Sequence, residues 1–428
     1  MLKIFGTPNG RDCDGFTRRN FLQVGSLGAA GLSLPNLLAA KDQAAQEGLQ
    51  IKNKSVIWVW LAGGPTHVET FDPKMTAPIE YRSLTGECKT PISGVTVGGT
   101  FPEIAKCVDR MAMVRSFAHG SSSHSTGTTW VMTGYNDRDN MKPSLGSIIS
   151  RAKGSTDSQT GMPTYIKVGN IRSDGPGWLG ARYQALSPSG KARQNMNLSV
   201  DSNRFGTRRT LLNDLDSINR HVDRSGQMEG LDGFEQQAFD LVLGSAKDAF
   251  DVKKEDPKVR ERYGKGLGEQ LLLAKRLCAA GAGFVNVSYG GWDMHGGIVK
   301  GLKSRAQQLD QGVSALINDL TETGQLEDTL VVVTGEFGRT PRINSKGGRD
   351  HWGRLCTLAM AGGGLRMGQV IGESSRKVEV PAENPVQPQD VMATILHMYG
   401  LSNKLQFTSP QGRPTYMVEN GSPIKELI

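Results

Sequence analysis

From Val56 to Ala62 the chain reads Val-Ile-Trp-Val-Trp-Leu-Ala without a polar side chain, and then meets Gly63-Gly64-Pro65. A strand with one wet face would alternate polar and apolar residues, so an unbroken β-branched and aromatic run describes a strand covered on both faces. Similar runs recur at Met113 to Phe117, Tyr165 to Val168, Phe284 to Ser288, Leu330 to Thr334 and Leu358 to Ala361. Helical patterns lie between them. Leu302, Ala306, Leu309, Val313, Leu316, Ile317 and Leu320 fall on one helix face, and Pro388 to Tyr399 reads as an amphipathic helix. Buried strands alternating with helices predict an α/β fold, a three-layer sandwich around a largely parallel central sheet.

Between about residues 169 and 266 the pattern changes. Gly, Ser, Asn and Arg dominate first, then charged helical stretches at Asp232 to Phe250 and Asp256 to Tyr263. This region reads as an insertion or cap over one sheet edge, within a main domain spanning 51–428.

Residues 1–40 form a different kind of segment. Thr17-Arg18-Arg19-Asn20-Phe21-Leu22 precedes a small-residue-rich apolar stretch that ends in Leu38-Ala39-Ala40. A basic region, a modest apolar region and a small-residue cleavage site make an export signal, and paired arginines before Phe-Leu address the twin-arginine machinery. The expected destination is periplasmic or extracellular, with no membrane attachment once the leader is cleaved. Removing the leader takes away Lys3, Arg11, Arg18 and Arg19 against Asp12 and Asp14, so the formal charge falls from +8 to +6. That mild excess suits an anionic small molecule or polymer. No Lys/Arg block interleaved with aromatics is present, which argues against nucleic acid. Cys88, Cys107, Cys278 and Cys356 lack C-x-x-C spacing, so neither a zinc knuckle nor a redox pair is indicated.

In open α/β sheets, ligands collect at the carboxyl ends of strands, so the residues just after each apolar run carry most information. After Ser288 comes Tyr289-Gly290-Gly291-Trp292-Asp293-Met294-His295-Gly296-Gly297. Asp293 and His295 offer oxygen and nitrogen ligands suited to zinc or manganese. The same loop is equally a glycine-rich turn in which Asp293 caps the next helix. After Thr334 comes Gly335-Glu336-Phe337-Gly338-Arg339-Thr340-Pro341, where Arg339 beside a carboxylate is either a fork for phosphate or sulfate or an ion pair. Next is Lys346-Gly347-Gly348-Arg349-Asp350-His351-Trp352-Gly353. Acids and histidines converging on one rim are the mark of a metal site. The fourth place is Arg115-Ser116-Phe117-Ala118-His119-Gly120 and the serines up to His124-Ser125-Thr126-Gly127. A helix starting there would present free N–H groups to an anion, with His124 as ligand, base or nucleophile, or else simply within a hydroxyl-rich cap. His67, after the first strand, is expected at the same rim, whereas His221 and His397 read as structural.

Taken together, the twin-arginine leader, Gly63-Gly64-Pro65-Thr66-His67-Val68-Glu69-Thr70-Phe71-Asp72-Pro73-Lys74, Gly290 to His295, Gly335 to Pro341 and Gly347 to Trp352 resemble the family called domain of unknown function 1501. The resemblance runs from about Ser55 to Pro414, and that family is in turn similar to the alkaline phosphatase and sulfatase superfamily. It implies an alkaline phosphatase-like fold and a metal-dependent hydrolase of phosphate or sulfate esters. It places Asp293, His295, Glu336 and His351 as ligands of one or two divalent ions, zinc first, with manganese, calcium or magnesium as alternatives. The superfamily nucleophile stands nine residues before a Thr-Gly pair, and His124 holds that position before Thr133-Gly134. Arg339 would clamp the anion. Two positions depart from the superfamily pattern, since Ala62 replaces the first-strand acid and Phe337 replaces a histidine. Loss of the usual nucleophile leaves a second reading open, a non-catalytic exported binding or surface protein on the same scaffold.

Overall fold

The computed structural model describes residues 51–136, 142–188 and 245–428, so the leader at 1–40 and residues 189–244 of the expected insertion lie outside the described residues. The central sheet comprises β1 (Ser55–Trp60), β2 (Met111–Val114), β3 (Tyr165–Val168), β4 (Phe284–Ser288), β5 (Thr329–Thr334), β6 (Leu358–Gly362) and β7 (Gln369–Ile371). Their order across the sheet is β7-β2-β6-β5-β1-β4-β3. All six expected runs became strands of this sheet, and β7 is an added edge strand.

β1 lies parallel to β4 on one side and to β5 on the other, with Val56 opposite Phe284 and Leu330. β3 is parallel to β4 and β7 is parallel to β2. Only β6 is reversed, being antiparallel to both β5 and β2. The other six strands therefore point one way, and the segments leaving β1, β2, β4 and β5 emerge at a single rim.

Two apolar layers sandwich the sheet because alternate residues of each central strand serve opposite faces. Ile57, Val59, Val285, Val287, Val331 and Val333 pack with Leu271, Leu277, Leu309, Val313 and Leu316 of α4 (Leu267–Ala279) and α5 (Ile298–Glu322). Val56, Trp58, Trp60, Leu330 and Val332 pack on the other face with Ile148, Val391, Ile395 and Leu396 of α2 (Leu145–Lys153) and α6 (Pro388–Met398). α1 (His124–Thr133) adds Val131 and Met132 to that second layer. The expected three-layer sandwich is therefore present.

In the later part of the expected insertion, Ser245–Phe250 forms a 3-10 helix. The helix α3 (Pro257–Tyr263) starts at Asp256, whose carboxylate accepts the Lys258 N–H. Its Tyr263 is 1% exposed and donates to Asp319 of α5 at 2.8 Å, so this part belongs to the core wall. Cys88, Cys107, Cys278 and Cys356 are all free thiols.

Candidate metal centre

The rim brings together side chains from four loops. Asp293 and His295 follow β4, Glu336 follows β5, His351 closes a two-strand ribbon of Gly338–Arg339 with His351–Trp352, and His124 is the first residue of α1. Glycine is required where these loops touch. Gly63, at φ 115°, lies so close that a Cβ there would stand 2.5 Å from the Asp293 nitrogen. A Cβ on Gly348 would fall 2.3 Å from the His295 carbonyl carbon, which is how the ribbon reaches the β4 loop.

Each imidazole is fixed through its Nδ1 by an acceptor outside the cluster. His295 Nδ1 is 2.6 Å from Asp350 Oδ1, His124 Nδ1 is 2.7 Å from Glu336 Oε1, and His351 Nδ1 is 3.1 Å from the Ser122 carbonyl. A carbonyl or carboxylate accepts here, so each Nδ1 carries a proton, and a ring that is neutral offers an Nε2 lone pair. All three Nε2 atoms meet at Asp293. Its Oδ1 lies 3.0 Å from His295 Nε2 and 3.1 Å from His351 Nε2, and the two nitrogens are 3.0 Å apart. His124 Nε2 sits 3.4 Å from the other oxygen, Oδ2.

Acceptors crowded at such distances repel one another unless protons or a cation lie between them. Burial lowers the His351 pKa from its usual value, which disfavours an extra proton there. Burial tends to raise the Asp293 pKa, but Arg339 and His351 outweigh it and hold the carboxyl well below the usual carboxylate range. Separations of 3.0–3.1 Å are close to the ~3.3 Å that a tetrahedral ion imposes on donors each about 2.0 Å away. The donor set and its outer acceptors fit a divalent ion such as zinc. His124, Asp293 and His351 also form a three-donor group with ligand atoms within 4.8 Å of one another.

Two expected roles change with these positions, those of Glu336 and Arg339. Glu336, expected as a ligand, is 3% exposed and uses Oε1 to accept from both His124 Nδ1 and the Gly63 N–H, at 2.8 Å. Its Oε2 is buried without a partner. It stands behind an imidazole rather than in the donor cluster. Arg339, expected as an anion clamp, is 0% exposed. Its Nε donates to Gly64 O at 2.8 Å and its Nη1 to Arg349 O at 3.1 Å, while Nη2 meets Gly63 O and Asp293 Oδ1. The guanidinium is spent on positioning Asp293. His124, expected as catalytic, faces the donors at its Nε2 and is raised in pKa by the Glu336 hydrogen bond.

His67 does not reach the rim. It is buried, with Nε2 3.1 Å from the Val378 carbonyl, and burial lowers its pKa to about 4. His119 is likewise pushed down to about 4 by burial, and its ring bridges the Glu336 carbonyl and the Ser121 N–H. Asp350 was the residue not singled out, although it stands beside His351 in the same motif. A cavity of about 230 Å³ lies at the opposite, amino-terminal ends of β1 and β5, lined by Lys54, Lys153, Lys275 and Cys278. Lys54 and Lys275 are already paired there with Asp328 and Asp319, and no imidazole lines it.

Among the described residues no helix is long and apolar enough to cross a membrane. No curated protein matches the sequence. Solved structures similar to the chain include the PsFucS1 sulfatase from Pseudoalteromonas sp., at 13% identity and a TM-score of 0.39, over 85% of this chain and 70% of that one. The zinc complex of the C-terminal periplasmic domain of EcEptC from Escherichia coli is similar at 11% identity and a TM-score of 0.39, over 89% and 95%. A TAB5 alkaline phosphatase mutant with magnesium bound is similar at 13% identity and a TM-score of 0.39, over 82% and 100%. The model of one family, described as "Protein of unknown function (DUF1501)", matches residues 53–428, and the chain belongs to that family.

Proposed function

We propose that the chain is a metal-dependent hydrolase of phosphate or sulfate esters, exported by the twin-arginine route and acting in the periplasm or outside the cell on an anionic small-molecule or polymer ester. One observation carries the reading: three Nε2 atoms, each on a ring fixed by an outer acceptor at Nδ1, converge on the oxygens of Asp293. With neutral rings no proton lies between these atoms and the carboxylate, an arrangement costly for a fold and useful for a cation.

Asp293, His295 and His351 would hold one divalent ion, with zinc the best match to two imidazoles and a carboxylate. Such an ion supplies Lewis acidity toward an ester oxygen. Asp350 fixes the His295 ring and Arg339 fixes the Asp293 carboxylate. His124 meets Asp293 at Oδ2, whereas the other two rings meet it at Oδ1. Its Nε2 takes a proton from an attacking water while Glu336, at Nδ1, stabilises the imidazolium that results. The first N–H groups of α1, which the Ser123 side chain does not cap, lie at the same rim and favour an anionic ester.

A second reading follows from the same geometry. If His124 joins the other three donors, the shell is full, and a closed four-ligand site is typical of structural zinc in a non-catalytic protein. Metal analysis of the purified protein combined with turnover of aryl phosphate, phosphodiester and aryl sulfate esters separates the two. Hydrolysis that a chelator abolishes is the expected result. Tightly held metal without turnover selects the closed site, and protein with no metal and an unchanged melting temperature in chelator overturns both.

A further inference from the structure

We propose that this centre selects esters whose tetrahedral group carries a single negative charge, a sulfate monoester or a phosphodiester, over dianionic phosphate monoesters. The inference rests on the hydrolase reading above and concerns the charges built around it.

Three carboxylates lie within one contact of the imidazoles. Asp293 touches all three rings, Asp350 holds His295, and Glu336 holds His124. Among the described residues, Arg339 is the single Lys or Arg side chain bonded to any of these carboxylates. The nearby Arg349 is committed elsewhere, to Glu69 and to the carbonyls of Thr340, Pro341 and Arg82. With neutral imidazoles the protein therefore brings three negative charges and one positive charge, and a divalent ion cancels the difference. A centre with no net positive charge has little to offer a second negative charge on the substrate.

The positions of the acids sharpen the point. Asp293 and Asp350 have side chains 45% and 54% exposed, so both face the space an ester must enter. A dianion there sits beside two exposed carboxylates, of which Arg339 is paired with Asp293 alone. At separations of 4–6 Å and the intermediate effective dielectric of a protein surface, one extra charge changes affinity on the order of tenfold to hundredfold.

Binding measures this without relying on turnover. Zinc-loaded protein is titrated calorimetrically under alkaline conditions with benzenesulfonate, methyl phenylphosphonate and phenylphosphonate. The first two carry one charge and mimic a sulfate ester and a diester, and the third carries two. The singly charged ligands are expected to bind about tenfold or more tightly than phenylphosphonate. The better of the two identifies the ester type. Asp350→Asn at saturating zinc removes one exposed charge and is expected to shrink the gap several-fold. Phenylphosphonate binding as tightly as the others, or an unchanged gap in Asp350→Asn, overturns charge selection and leaves the hydrolase reading standing. Protein that retains no zinc and binds none of the three overturns the hydrolase reading itself.

Discussion

Two layers of charged side chains lie one above the other at this rim, and they are built on opposite rules. In the lower layer Arg349 and Glu69 are both 0% exposed. Arg349 donates to both Glu69 oxygens and to three backbone carbonyls, while Glu69 also accepts from Thr66 at 2.6 Å and from the Leu84 N–H at 3.3 Å. In the upper layer Asp293, His295, His351 and His124 turn acceptors toward one another and remain partly exposed. The lower layer is satisfied and the upper one is not. Arg339 connects them, since it is buried like the lower pair yet ends on Asp293. The contrast teaches that a cluster of mutually repelling donors persists only when a saturated brace beneath it leaves the loops no room to relax.

Breaking the brace should have the largest effect. Glu69→Ala leaves the Arg349 guanidinium buried without a counter-charge, and an orphaned partner of a buried pair typically costs about 3–5 kcal/mol. Urea unfolding should show that loss, and metal content should fall with it. Replacing both partners together, with Arg349→Met and Glu69→Leu, should lose less than either change alone because no bare charge is left inside. If the double variant is the less stable one, the pair owes its place to more than mutual compensation.

The upper layer should respond in the other way. Spreading the roughly 10–16 kcal/mol of a structural zinc site over four ligands gives about 3 kcal/mol for each, so His351→Ala should lose metal about 100-fold or more. With its ring partly exposed, the metal-free variant should unfold within about 1 kcal/mol of metal-free wild type. Metal analysis and melting curves with and without chelator check both halves. A matching fall in metal-free stability would erase the distinction between the layers.

This division also explains what could be seen in the sequence. Six strands were legible because strands covered on both faces lose the polar alternation, as Val56 to Ala62 shows. β7 was not, since Gln369-Val370-Ile371 is too short to stand out from a loop. That Asp293, His295 and His351 gather at one rim was legible because glycines flanking Asp and His at strand ends are unusual. The same logic placed Glu336 among the ligands, but an acid at a strand end looks identical whether it faces an ion or the back of an imidazole. What decides is the Gly63 N–H at 2.8 Å and the His124 ring at 2.7 Å, contacts 273 and 212 residues apart in the chain. Asp350 was passed over for the opposite reason, because in an Asp-His pair either residue can be the ligand and only the 2.6 Å contact to His295 assigns them.

Asp350 should therefore behave as an intermediate case, belonging to the upper layer without being a donor. Asp350→Asn weakens the acceptor that keeps the His295 proton on Nδ1, and losses at such outer positions run to about 10–100-fold in metal affinity. With a side chain 54% exposed, the substitution should leave thermal stability unchanged. Competition with a chromogenic chelator measures the affinity. A loss as large as that of His351→Ala would mean that Asp350 is itself a ligand.

The smallest effect is expected where a buried carboxylate has no arginine at all. Asp174 is 5% exposed and meets neutral donors, among them the Tyr165 hydroxyl and the Asn286 amide at 2.8 Å, whereas Glu69 has Arg349. Burial pushes the Asp174 pKa up to about 7 despite hydrogen bonds from Asn286 and Ser144 that act to lower it. The folded protein thus holds this proton more tightly than the unfolded chain, in which the carboxyl titrates near its ordinary 3.8. Between those two values folding takes up a proton, so this group's contribution to stability falls as pH rises from about 4 to about 7, and levels off above. Asp174→Asn should remove that slope, which makes the difference in melting temperature between wild type and variant the quantity to follow across the window. A difference that does not change with pH would show that Tyr165 and Asn286 stabilise the ionised carboxylate as well as Arg349 stabilises Glu69. In that case neutral hydrogen bonds alone can brace a buried acid in this fold, and the arginines of the lower layer are there for geometry rather than for charge.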